Sequence, residues 1–293
     1  MRKHPVIFGV FLLLLIFVLF FLIVFSVAIF TGERKSFSLR EKIGVVTVEK
    51  IIGDSYPVVD QLIEYGRDDS IKAVVVRVDS PGGGVVPSQE IYNAILSLKK
   101  KKRVVVSMGS VAASGGYYIA CAADEIVANP GTITGSIGVI AHFSNVEELL
   151  KKIGLKPSII KSGKYKDIGS PLREMTQDEK RLFQGVIDDI YDQFLEAVST
   201  NRNITKKKVA DIADGRIFTG RQALKMKLVD FLGDKEYAIN LAAKLSGIEG
   251  EPEVVYPRKK GLGFWKYIIR EMVSTVAGEL KKESSGISYL YLK

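Results

Sequence analysis

Ala73-Val74-Val75-Val76-Arg77-Val78 runs directly into Asp79-Ser80-Pro81-Gly82-Gly83-Gly84. Four of the first six residues are β-branched valines, and the run is bounded by turn formers, which predicts a short strand buried on both faces. The three consecutive glycines after it leave backbone N–H groups unshielded by side chains, which suits a phosphate cradle or an oxyanion hole. Their spacing matches neither the dinucleotide fingerprint nor the lysine-containing phosphate loop. Taken alone, the run reads equally well as a tight turn.

Working outward, the strand signal recurs at residues 43–48, 104–107 and 125–128, and segments of helical length and spacing fall at 58–65, 88–98 and 114–123. Strands alternating with helices imply βαβ units, hence an α/β class with parallel strands. The later chain is more helical. Thr176-Gln177-Asp178-Glu179 is a capping box that opens a long amphipathic helix toward Ser199, and a further helix over 234–245 stops before Gly247.

Of the 293 residues, 26% are charged and 47% hydrophobic, the composition of a folded domain with an appendage. Residues 6–30 hold no charge, and a helix of that length exceeds the roughly 30 Å hydrocarbon core of a bilayer. They read as a transmembrane anchor between a five-residue tail and a linker at 31–41. The competing reading is a cleaved signal, because Ser26-Val27-Ala28 offers small residues for cleavage. The net charge of +9 includes Arg2 and Lys3 beside the apolar run and the stretch from Lys99 to Arg103. No nucleic-acid motif accompanies these charges, so they read as solvated. One cysteine, Cys121, excludes an intrachain disulfide and a closed cysteine-based metal site, and it reads as a small core residue. Between Phe264 and Leu280 an apolar stripe at helical spacing predicts an amphipathic helix in an extension at 251–293, following a main domain at 42–250.

Chemistry concentrates in two further segments. In Met108-Gly109-Ser110-Val111-Ala112-Ala113-Ser114-Gly115-Gly116-Tyr117-Tyr118, Ser114 opens an apolar helix. It reads either as an N-cap or as a nucleophile whose oxyanion would be met by the free N–H groups there. Ser110 is a rival without the following glycines. The chain has two histidines, His4 beside the membrane run and His142 in the apolar stretch 138–143, which reads as a strand. A Ser-His-Asp arrangement would rest on His142 alone. The other available base is a lysine freed of its proton by burial. An alkylammonium in water titrates near about 10.4, so such a base needs its environment. Lys161, Lys164 and Lys166, in Lys161-Ser162-Gly163-Lys164-Tyr165-Lys166-Asp167, are the candidates.

Asp79-Ser80-Pro81-Gly82-Gly83-Gly84, Ala113-Ser114-Gly115-Gly116-Tyr117-Tyr118, Thr132-Ile133-Thr134-Gly135-Ser136-Ile137-Gly138 and Ser162-Gly163-Lys164-Tyr165-Lys166-Asp167 together resemble, in order and spacing, the signal peptide peptidase A family in its short single-domain form. Gly215-Arg216-Ile217-Phe218-Thr219-Gly220 extends the likeness. The resemblance implies a Clp-protease/crotonase-like α/β fold of repeated ββα units with an N-terminal transmembrane helix and a C-terminal helical extension. It implies a serine endopeptidase with Ser114 as nucleophile, Lys166 as general base, Ser136 orienting the lysine, and Gly83 and Gly115 forming the oxyanion hole. It also implies that an extended peptide binds by strand addition along Gly84, Val85 and Val86 and along Gly131, Thr132 and Ile133. The implied substrates are remnant signal peptides and other apolar segments, with no cofactor, metal or nucleic acid. The implied assembly is a homo-oligomeric ring in which one subunit's serine meets its neighbour's lysine, held at the membrane with the catalytic domain outside the cytoplasm. Alternatives on the same fold are a Ser114/His142 peptidase and an acyl-CoA-handling crotonase relative; a non-catalytic membrane scaffold is the alternative of another class.

Overall fold

A computed structural model of the chain describes residues 11–23 and 41–257. The chain divides into two units, 1–40 and 41–293. In the first, residues 11–23 are helical. Among the described residues no helix is long and apolar enough to cross a membrane, and the rest of the expected anchor lies outside them. The amphipathic helix expected at 264–280 also lies outside the described residues.

The second unit begins as the sequence predicts. Strand β1 (Lys42–Glu49), helix α1 (Tyr56–Arg67), β2 (Ile71–Ser80), α2 (Val85–Lys99), β3 (Arg103–Ala113), α3 (Gly115–Ala120) and β4 (Glu125–Ala128) alternate along the chain. Then come β5 (Ile133–Gly135), α4 (Glu147–Lys152), α5 (Gln177–Arg202), α6 (Lys206–Ala210), β6 (Ile217–Thr219), α7 (Gly220–Lys225), β7 (Phe231–Leu232), α8 (Lys235–Leu245) and β8 (Glu253–Val255). Up to β4 the repeat is thus strand–helix, and only β4 and β5 follow one another without a helix between them, so the expected ββα repeat is met only in part.

One sheet takes all eight strands, in the order β6-β5-β3-β2-β1-β8, with β4 on β3 and β7 on β4. Every pairing is parallel except β5 with β6. The central strands carry helices on both faces, which accounts for their continuous valine runs: Val74, Val75 and Val76 are all fully buried. Gly44 makes room for a helix here, since a Cβ on it would lie 2.5 Å from the Tyr65 ring. Tyr65 in turn donates its hydroxyl to Val255 O on β8. The sheet therefore runs past residue 250 and takes in the start of the expected extension.

β3 is the strand that builds the site. Its first part, Val105 to Ser107, pairs with β4, and its last part, Val111 to Ala113, pairs with β5. A register shift opposite Asp79 separates the two parts. The Asp79 carboxylate fills that bulge by accepting the Val111 N–H at 3.1 Å, and Gly109 has no side chain because a Cβ there would stand 2.5 Å from Asp79 Cγ.

The long α5 has the predicted capping box, Thr176 with Glu179. At about 1.5 Å per residue its 26 residues span roughly 39 Å. Only its C-terminal half, through Phe194, Leu195, Ala197 and Val198, reaches the core; Leu182 and Val186 on the first half are exposed. Residues 136–146 form no strand, against the strand expected at 138–143. Ile140 there is 78% exposed, so no burial rewards a ladder.

Candidate active site

Ser114 sits between the end of β3 and the start of α3 with φ 53° and ψ −121°, a conformation that only glycine adopts without strain. The cost is of order 1–3 kcal/mol and must be held by the surroundings. Its N–H is fixed to Gly135 O at 2.8 Å, and its carbonyl accepts Tyr118 N–H at 2.9 Å. The hydroxyl does not cap the helix, which removes the N-cap reading. A serine strained at a strand-to-helix turn with a free hydroxyl has the form of a nucleophile elbow.

Two backbone N–H groups complete the arrangement. The turn Gly82–Gly83 abuts Ser114 so closely that a Cβ on Gly82 would lie 2.7 Å from Gly115 N and 3.0 Å from Ser114 Cβ, while a Cβ on Gly115 would lie 3.3 Å from Gly83 N. The turn is anchored from outside: Ile52 donates to Gly82 O at 2.9 Å and accepts from Gly84 N–H at 2.8 Å. Gly83 N–H and Gly115 N–H have no acceptor among the described residues. Unclaimed donors side by side next to a serine hydroxyl are what a developing oxyanion requires.

These groups open onto a cleft of about 500 Å³ lined by Gly83, Val85, Ser88, Ser114, Gly115 and Ser136. Its other wall includes Tyr118, Tyr191, Phe194, Ile187 and Ile190. Tyr118 meets Phe194 edge-on at 5.0 Å, and burial raises its phenol above the ordinary range, while Asp188 and Asp214 also line the cleft. Ser136 has φ 50° and holds its place by donating its N–H to Arg216 O at 2.8 Å. Its hydroxyl has no partner among the described residues.

The other expected residues lie elsewhere. Lys166 is exposed and does not line the cleft. Its two neighbours are engaged: Lys161 pairs with Asp167 at 2.5 Å and Lys164 with Asp178 at 3.0 Å, the latter hydrogen bond raising the Lys164 amine above its ordinary value. Lys166 has no ion-pair partner among the described residues. Ser110 is exposed on β3 and outside the cleft, and His142 lines, with Phe143 and Arg173, an adjoining depression that shares Val139, Ile140, Gln184 and Ile187 with the cleft.

Neither segment expected to receive a substrate strand offers an open edge. Val85 and Val86 are the first residues of α2, so their backbone is helical, and Gly84 is already bonded to Ile52. Ile133 is paired on one side with Val111 and on the other with Thr219, and Thr132 O accepts from Gly220 N–H. Gly131 precedes that strand on an exposed turn. What these residues contribute to the cleft is the Val85 side chain.

Sequence reasoning missed the Asp79 carboxylate at the bulge, the buried Ser88 whose Oγ would lie 2.5 Å from a Cβ on Gly115, and Arg216 behind Ser136. The run Gly215-Arg216-Ile217 was visible, but nothing in it signals a backbone carbonyl contact.

Residues 97–249 match the model of peptidase family S49, and residues 36–132 match that of Clp protease. A candidate protease of Synechocystis sp. is 47% identical over 213 residues, 72% of this chain and 77% of that one. A candidate signal peptide peptidase of Enterococcus faecium is 38% identical over 185 residues, 63% of this chain and 54% of that one. Among solved structures, the membrane-bound stomatin-specific protease 1510-N superposes with a TM-score of 0.52 at 17% identity, covering 75% of this chain and 99% of that one, which is a likeness of fold.

Proposed function

Because this chain belongs to peptidase family S49 and is a serine peptidase, we propose that it is a membrane-anchored endopeptidase with a Ser114/Lys166 dyad that degrades cleaved signal peptides and other apolar peptides. The observation that carries this reading is the strained Ser114 beside the unclaimed N–H groups of Gly83 and Gly115. In the first step the neutral Lys166 amine takes the Ser114 proton while Oγ attacks the peptide carbonyl carbon, and the carbonyl π electrons move onto oxygen. The two glycine N–H groups meet that oxyanion. Collapse breaks the C–N bond, and the departing amine leaves with the proton held by Lys166. Water then adds to the acyl ester by the same route in reverse order, returning the serine. The aromatic and aliphatic wall of the cleft suits an apolar side chain next to the scissile bond.

The lysine comes from a neighbouring subunit in this reading. Its support is that Ser114 faces the cleft while Lys166 is exposed and outside it. Mixing inactive Ser114→Ala subunits with inactive Lys166→Ala subunits should restore digestion of a hydrophobic signal peptide, read by mass spectrometry. No recovery from verified mixed oligomers would place the dyad within one chain.

The anchor is residues 6–30, supported by their freedom from charge. Protease added to intact spheroplasts should therefore remove the catalytic domain while the apolar segment stays in the membrane, and a fully protected domain would overturn this topology.

A further inference from the structure

We propose that Arg173 is a positioning residue for the general base, its guanidinium fastening the loop that carries Lys166 to the first turn of α5. This rests on the reading of Lys166 as the base. Residues 162–169 are a succession of bends and turns held by short-range backbone bonds, such as Lys166 N–H to Gly163 O at 3.2 Å and Ser170 N–H to Asp167 O at 3.0 Å. Bonds of that kind fix local curvature but do not fix a loop against the rest of the domain, and a base that must meet a hydroxyl needs a defined place.

Besides the exposed Lys164–Asp178 pair, Arg173 supplies the less exposed, multidentate connection. Its Nε and one terminal nitrogen donate to both carboxylate oxygens of Asp167, the residue after Lys166, at 2.8 and 2.9 Å. Its two terminal nitrogens donate to both carboxylate oxygens of Glu179, at 2.8 and 2.5 Å. A further bond goes to Glu174 O at 3.0 Å. Glu179 is 2% exposed and is itself set in the helix, since it accepts the Thr176 N–H at 2.8 Å in the capping box. One planar fork thus joins the loop carboxylate to the helix carboxylate, a geometry a lysine cannot reproduce. The hydrogen bonds from Arg173 hold Asp167 well below the usual carboxylate range and Glu179 down to about 2, so both partners are ionised at any pH where the peptidase would work. Asp167 also occupies Lys161, which leaves that amine paired.

Full-length protein carrying Arg173→Met or Arg173→Lys, with Lys166 intact or replaced by alanine, tests this. With a small ester substrate, Arg173→Met should lower kcat by about 10²-fold while KM stays within about twofold, and Arg173→Lys should recover only part of the loss. In the Lys166→Ala background, where Ser114 labelling by a fluorophosphonate is followed over hours, Arg173→Met should add less than about a twofold change, because a residue acting through Lys166 has nothing left to position. An unchanged kcat, or an equal loss in both backgrounds, would overturn the positioning role while Lys166→Ala alone still reports on the base. If Arg173→Met does not fold, Asp167→Asn, which leaves Glu179 paired, is read by the same criteria. Arg181→Met, which breaks only an exposed pair with Asp178, should leave the rate unchanged.

Discussion

Lys166→Arg should leave the enzyme with a hundredth to a ten-thousandth of its acylation rate, the range by which a positioned proton acceptor accelerates such a step. The substitution keeps the positive charge and most of the length of the side chain. What it removes is the ability to be neutral, because a guanidinium does not shed its proton at any pH the protein tolerates. Lys164→Arg should be mild, since Lys164 is spent on Asp178 and on the face of Tyr165. Acylation of Ser114 by a small ester, measured against pH for each variant, decides the matter. An active Lys166→Arg enzyme, or loss of the activity with His142→Ala, would defeat the dyad.

Gly83→Ala should cost about 10²- to 10³-fold in kcat with little change in KM, the loss expected when one oxyanion donor is taken away. The argument is steric. A Cβ at this position would stand 2.3 Å from Ile52 O and 2.6 Å from Ile52 N, and both are backbone atoms that no rotamer change can move aside. The turn must therefore shift, carrying its N–H away from the point beside Gly115 where the oxyanion forms. Gly53→Ala, one residue beyond Ile52, meets nothing within 4 Å and should be silent. Near-normal turnover by Gly83→Ala with an unchanged melting temperature would mean that the oxyanion is met elsewhere.

The strand-helix alternation through β4 was legible because a parallel sheet covered on both faces demands unbroken apolar runs, and 73–78 and 104–107 have them. The glycines of the two turns were legible for a related reason: close backbone approach leaves no substitute for glycine. What the sequence did not reveal is where polar groups meet across long separations. Nothing in the strand from Arg103 shows that it changes partner halfway, because the cause is a carboxylate on the neighbouring strand. The apolar stretch 138–143 read as a strand on composition, yet the chain gives it no partner, and the helical backbone at Val85 and Val86 likewise followed from the chain's turn after Gly84 rather than from their β-branched side chains. Ser114 was legible as a residue type in a setting. That the setting holds it at positive φ was not.

The contacts that hold Ser114 have a further consequence for when the site comes into being. Its N–H is bonded to Gly135, the next residue, Ser136, is bonded to Arg216, and Gly215 N–H closes on Ile137 O. The strand that carries Gly135 is flanked by residues 217–219. A growing chain that has folded its first βαβ units still lacks the hundred residues that clamp the elbow, and contacts of such long sequence separation form late. Until they form, Gly135 and Ser136 lack the partners that hold them beside Ser114. The elbow is therefore completed only when residues 215–219 have joined the sheet.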